Sequence, residues 1–108
     1  SSAQRLKTEI GLNKAKRQIQ SEKVNLEKAL QTLQNQMLTL KNKILPKALQ
    51  RKKLFQNIAP RDLSSLNEHL DTYLSIPEIH LQILGLQSKY EQAVAMLLKY
   101  KSEKDGEK

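Results

Sequence analysis

Between Leu26 and Ile44 the apolar residues Leu26, Leu30, Leu33, Met37, Leu40 and Ile44 fall at intervals of 4, 3, 4, 3 and 4. That alternation is the seam of a coiled coil. Extended backwards, the register carries Ile19 and Leu12, together with Lys23 and Lys16. Charged residues at seam positions weaken pairing and often fix its register or oligomer state. From about Arg5 to Ile44 only Gly11 interrupts the run of helix formers, at a cost of about 1 kcal/mol relative to Ala. A helix of roughly 40 residues would be about 60 Å long. It cannot fold back on itself, so its seam is expected to lie against a second helix, that of a partner chain.

Pro46 closes this pattern. Proline removes a donor and turns its predecessor away from helix, so a break or kink is expected, with a short helix resuming in which Pro46 stands in the first turn. Gln56 to Pro60 reads as a connection. Pro60 suits the first turn of the next helix, where Asp62 meets the helix dipole favourably. Leu63, Leu66, Leu70 and Tyr73 then follow at 3, 4, 3 spacing over about 60–74. Ser75-Ile76-Pro77-Glu78 has the form of a capping box and predicts a fresh helix start. The last helix carries Ile76, Ile79, Ile83, Leu86, Tyr90, Ala93, Leu97 and Tyr100 as its seam, and Leu84, Val94 and Leu98 widen its apolar face.

The predicted fold is therefore all-α and extended rather than globular. A long coiled-coil helix covers residues 1–45 and a basic elbow with a short helix covers 46–59. A helical hairpin follows over 60–102, and a polar, disordered tail over 103–108. The partner-helix interface is expected at Leu26, Leu30, Leu33, Met37, Leu40, Ile44, Leu63, Leu66, Leu70, Ile79, Ile83, Leu86, Tyr90 and Leu97. Composition agrees: 3 Gly and 3 Pro leave helices unbroken, while 38% apolar and 4% aromatic residues suit narrow seams better than a broad core. A chain opening on Ser1 is read as a piece of something longer. With no apolar run of about 18 residues and no signal-peptide core, the expectation is a soluble, intracellular protein.

Charge adds one feature to this picture. Residues 1–27 carry a net +3, residues 28–61 eight basic side chains and no acid, and residues 62–108 a net −3. Lys43, Lys47 and Arg51 recur every four residues and would share a helix face. With Lys41, Lys52 and Lys53 they could follow a phosphate backbone or an acidic protein surface, or simply keep a helix face solvated. Without a groove-reading motif, any DNA contact would be independent of sequence.

Candidate chemistry is sparse. His69 and His80 stand on different predicted helices and read as half-exposed. Asp62, Glu68 and Asp71 read as a solvated face. With no cysteine there is no thiolate site. No nucleophile elbow, phosphate loop or metal-ligand spacing occurs, so no catalytic, cofactor-binding or metal-ligating residues are expected. Tyr73, Tyr90 and Tyr100 occupy seam positions and are expected to pack with their hydroxyls at the wet edge. The residues alone fit a coiled-coil scaffold or tether, or a sequence-independent nucleic-acid-binding helical protein.

In the order of its features the chain resembles the CENP-Q family of inner-kinetochore subunits. The likeness rests on "LEKALQTLQNQMLTLKNKI" (Leu26 to Ile44) and "DLSSLNEHLDTYLSIPEIHLQILGLQSKYEQAVAMLLK" (Asp62 to Lys99). The resemblance implies a nuclear, centromeric structural subunit, paired in parallel with a CENP-U-like subunit through the long helix. It further implies assembly with CENP-O- and CENP-P-like subunits on centromeric nucleosomes. The Lys41–Lys53 block would then lie near DNA or a neighbouring subunit.

Overall fold

The structure is a computed structural model and describes residues 2–106. Every element among them is helical: α1 (Ser2–Thr39), a π-helical turn (Leu40–Ile44), α2 (Leu45–Gln56) and α3 (Leu63–Gly106). The chain divides into two compact units, one made of Ser1–Gln31 with Glu91–Lys108 and the other of Thr32–Tyr90.

The unit Thr32–Tyr90 holds most of the buried core. Leu40 and Ala48 pack with Ile79 and Ile83, and Leu45, Ile76 and Leu86 close around them. Phe55 stacks on His69 with ring centroids 4.2 Å apart. Later residues of α3 thus meet earlier residues of the π turn and α2, so α3 runs antiparallel to them. Along the π turn and α2 the seam is lined by α3 of the same chain, which turns back through the connection after Gln56.

Pro46 does not break the helix. It stands in the first turn of α2, as its fixed φ allows, and the disturbance is displaced upstream. In an α-helix the ring of Pro46 would strike the carbonyl of Asn42, and that carbonyl would lose its donor. The π turn relieves this by widening. The N–H of Leu45 donates to the carbonyl of Leu40, five residues back instead of four. One extra residue is thereby accommodated, and the seam changes register. The inward positions Leu33, Met37 and Leu40 would continue in heptad spacing to Ile44, Lys47 and Arg51. Instead they continue to Leu45, Ala48, Lys52 and Phe55, while Ile44, Lys47 and Arg51 are exposed.

Two expected helix starts are also revised. The capping box is at Asp62, not Ser75. The Ser65 N–H donates to Asp62 Oδ1 at 2.8 Å, and the N–H of Asp62 donates back to Ser65 Oγ at 3.1 Å. Two orphan donors at the helix entrance are satisfied reciprocally. Pro60 therefore lies ahead of α3 rather than in its first turn.

At Ser75 no helix starts, and the hairpin expected over 60–102 is one helix. Ser75 Oγ donates to the Thr72 carbonyl at 2.7 Å inside the continuous helix, and Pro77 lies in the helix interior. An interior proline costs about 3 kcal/mol. Here buried Thr72 and half-buried Ile76 before it and buried Ile79 and Ile83 after it lie on one face, while Pro77 itself is exposed. α3 also continues to Gly106, through the first residues of the expected tail; Glu107 and Lys108 lie outside the described residues.

The unit Ser1–Gln31 with Glu91–Lys108 is thinner. Ala93 is its buried residue, Leu26 and Leu97 are half-buried, and the Tyr100 hydroxyl donates to Glu22 Oε2 at 2.5 Å. Residues 2–21 of α1 are exposed throughout.

The register shift can be tested by deletion. Removing Asn42 together with Pro46→Ala takes away the extra residue and its cause, and leaves uninterrupted 3–4 spacing from Leu33 through Phe55. Helicity should be kept, and the melting temperature should stay within about 8 °C, a stability change of about 1 kcal/mol. Removing Gln36 instead should lower it by well over ~10 °C, because every core residue that follows rotates off its face. Equal melting of the two deletion variants would show that the π turn does not set the register.

Candidate interaction surfaces

Catalytic geometry requires several polar groups converging in a recess. Among the described residues no three His, Cys, Asp or Glu side chains stand close enough to hold a metal ion. His69 is buried beneath the Phe55 ring, while His80 is exposed. His69 was expected to be half-exposed. Counting back from Ile76 in 3–4 steps reaches Thr72 and His69, so the buried row of α3 extends through two polar residues. Thr72 satisfies its hydroxyl locally, donating from Oγ1 to the Glu68 carbonyl at 3.0 Å. Among the described residues no helix is long and apolar enough to cross a membrane.

The residues expected at a partner-helix interface separate into two sets. Leu26, Leu30, Leu33 and Met37 are half-buried and Leu40 is buried; on α3, Ile79 and Ile83 are buried, and Leu86, Tyr90 and Leu97 half-buried. Of these, Leu40, Ile79, Ile83 and Leu86 pack together in the core of the unit Thr32–Tyr90. Leu63, Leu66 and Leu70 are exposed, Leu63 to 72%, and Ile44 joins them outside the core because of the π turn. Leu74, Leu81 and Leu84 continue the exposed row along α3. The pattern of Leu63, Leu66, Leu70 and Tyr73 identified an apolar face correctly but did not say that it points away from the hairpin core.

The basic residues also separate. Lys41, Lys43, Lys47, Arg51 and Lys53 are exposed, on helix faces that the core does not use. Lys52 is half-buried, with its ammonium 5.8 Å from the centre of the Tyr73 ring. That distance is within the range of a cation–π contact. The Lys52 stem can cover apolar surface while its ammonium stays at the solvent edge beside the ring.

An open groove of about 720 Å³ lies in the unit Thr32–Tyr90. Leu40, Ile44 and Leu86 give it an apolar floor, and Gln36, Gln82 and Lys89 are among its polar edges. Gly85 contributes to the opening, since a Cβ there would meet nothing within 4 Å. The groove contains no cluster of titratable groups, and its lining suits a side chain better than a reaction.

Gly85→Ala tests this space. With nothing to strike, the methyl group should stabilise the helix by up to about 1 kcal/mol and raise the melting temperature by about 4–8 °C. A lower melting temperature would mean that the groove is narrower than described. No protein-family model, no curated protein and no solved structure matches this chain.

Proposed function

We propose that this chain is a non-catalytic structural subunit that contributes its first helix to a heteromeric helical assembly. The supporting observation is the exposure of residues 2–21 of α1, with Leu6, Ile10, Leu12 and Ile19 all bare. A solitary helix of that length is marginal in water, because most helical stability in proteins comes from packing an apolar face. Leu12 and Ile19 also lie on the same heptad register as Leu26, so a helix laid along them would extend an existing seam.

The CENP-Q resemblance supplies the finer proposal. The assembly would be an inner-kinetochore complex of the nucleus, and the helix laid on α1 would belong to a CENP-U-like subunit. The exposed start of α1 supports a partner of that kind, and the kinetochore setting rests on the resemblance alone.

The test uses Leu12→Lys with Ile19→Lys. Both sites are exposed, so helicity and melting temperature of the chain by itself should change little. Burying two lysines against a partner would cost several kcal/mol. Mass-resolved size exclusion of the tagged chain from its native extract, at about 0.3 M salt to screen surface charge, should recover a fixed set of helical partners. The double variant should lose them. Undiminished recovery would remove α1 as the docking helix, and partners free of centromere proteins would remove the kinetochore assignment.

A further inference from the structure

The two arms of the unit Thr32–Tyr90 carry opposite charge. From Thr32 to Arg61 there are seven basic residues and no acid; from Asp62 to Tyr90 there are Asp62, Glu68, Asp71 and Glu78 against the one basic residue Lys89. Each arm also carries an apolar row that the core leaves bare. On α3 the row is Leu66, Leu70, Leu74, Leu81 and Leu84, with exposed Asp71 and Glu78 beside it. On α2, Lys47, Arg51 and Leu54 follow at 4 and 3 spacing on an exposed face, and Ile58, also exposed, lies beyond the helix end. One face is apolar and acidic, the other apolar and basic.

We propose that two copies of this chain pair through these faces, α2 of each copy lying on the leucine row of the other copy's α3. A two-fold pair makes that contact twice, so both bare faces of both copies are covered at once. Pairing α3 with α3 would set Asp71 and Glu78 against their own counterparts, and pairing α2 with α2 would do the same with Lys47 and Arg51. Like-charge juxtaposition disfavours both alternatives and fixes the crossed arrangement. The five leucines of the α3 row are 39–68% exposed, an apolar strip that the ~800 Å² per partner of a stable interface would cover. A polyanion would engage the lysines but leave the leucines bare. The pairing goes beyond the proposed subunit role and uses none of the α1 residues on which that role rests.

Sedimentation equilibrium of the full chain tests the pairing by charge exchange. The wild-type chain should associate to dimers at about 100 μM or below. Lys47→Glu with Arg51→Glu should weaken self-association at least about tenfold, and so should Asp71→Lys with Glu78→Lys, because each makes both contacts repulsive. An equimolar mixture of the two variants should restore dimers, since every crossed contact is again between opposite charges. Leu70→Gln with Leu81→Gln should dissociate the dimer while leaving helicity intact, which separates loss of pairing from loss of fold.

A wild-type chain that stays monomeric at about 100 μM would overturn the proposal. So would a mixture that fails to restore dimers, or a Lys47→Glu, Arg51→Glu variant that loses only binding to a random-sequence DNA duplex and dimerises normally. Leu12→Lys with Ile19→Lys should not change the dimer, so failure of the α1 partner role and failure of this pairing read out in different variants.

Discussion

A proline with no N–H to give, at position 46, sets the register of everything that follows it. Heptad spacing carried unbroken past Leu40 would bring Lys47 and Arg51 into the seam. Burying two unpaired charges costs many times more than one widened turn. The π turn at Leu40–Ile44 takes up the extra residue, and the buried face passes to Ala48 and Phe55. The Phe55–His69 stack and the small Ala48 against Ile79 and Ile83 depend on that rotation. The same rotation leaves Lys47 and Arg51 on the surface. A helix irregularity of this kind, immediately upstream of a proline, is a structural device with an identifiable cause.

The core that results is narrow. The buried apolar residues are Leu40, Ala48, Ile79, Ile83 and Ala93, and no large side chain among the described residues is completely enclosed. Stability is therefore spread over many half-buried contacts, with Ala48 buried in one unit and Ala93 in the other. Polar groups drawn into this seam are satisfied. Thr72 bonds back to its own helix, and no buried side-chain nitrogen or oxygen lacks a partner among the described residues. A narrow seam leaves the other helix faces free, and in this chain those faces are not uniformly polar. Leucines stand bare along α3 and at the start of α1, and an apolar face without a cover is the physical basis for reading the chain as an interaction protein.

Much of the helical content was legible. Few glycines and prolines, together with residues of high helix propensity, dictate helix almost everywhere. The 3–4 spacing picked out rows that are half-buried or buried from Leu26 to Leu40 and from Ile76 to Tyr100, but carried the first of them on to Ile44, which is exposed. It was less informative at the breaks. Ser75-x-x-Glu78 and Asp62-x-x-Ser65 both have the form of a cap, and only the second is one. Pro77 is tolerated because isoleucines on either side of it pack on the same neighbours, a consequence of contacts distant in sequence. Pro46 looked like an elbow for the opposite reason: a local rule says that proline disturbs a helix, but not whether the chain bends or inserts a residue.

The sequence by itself determined that the chain is helical, where its apolar stripes run, and that its charge divides into a basic middle and an acidic stretch after it. Periodicity and propensity are local properties, set within a turn or two of helix. Only the tertiary structure decided which stripe is covered by the chain itself. α3 lines the seam along the π turn and α2, the π turn selects Ala48 and Phe55 over Lys47 and Arg51, and Leu63, Leu66 and Leu70 are left outside. A stripe of leucines specifies that something apolar must face it; which helix does so is settled by the free energy of packing over each whole unit, a sum that no local window contains.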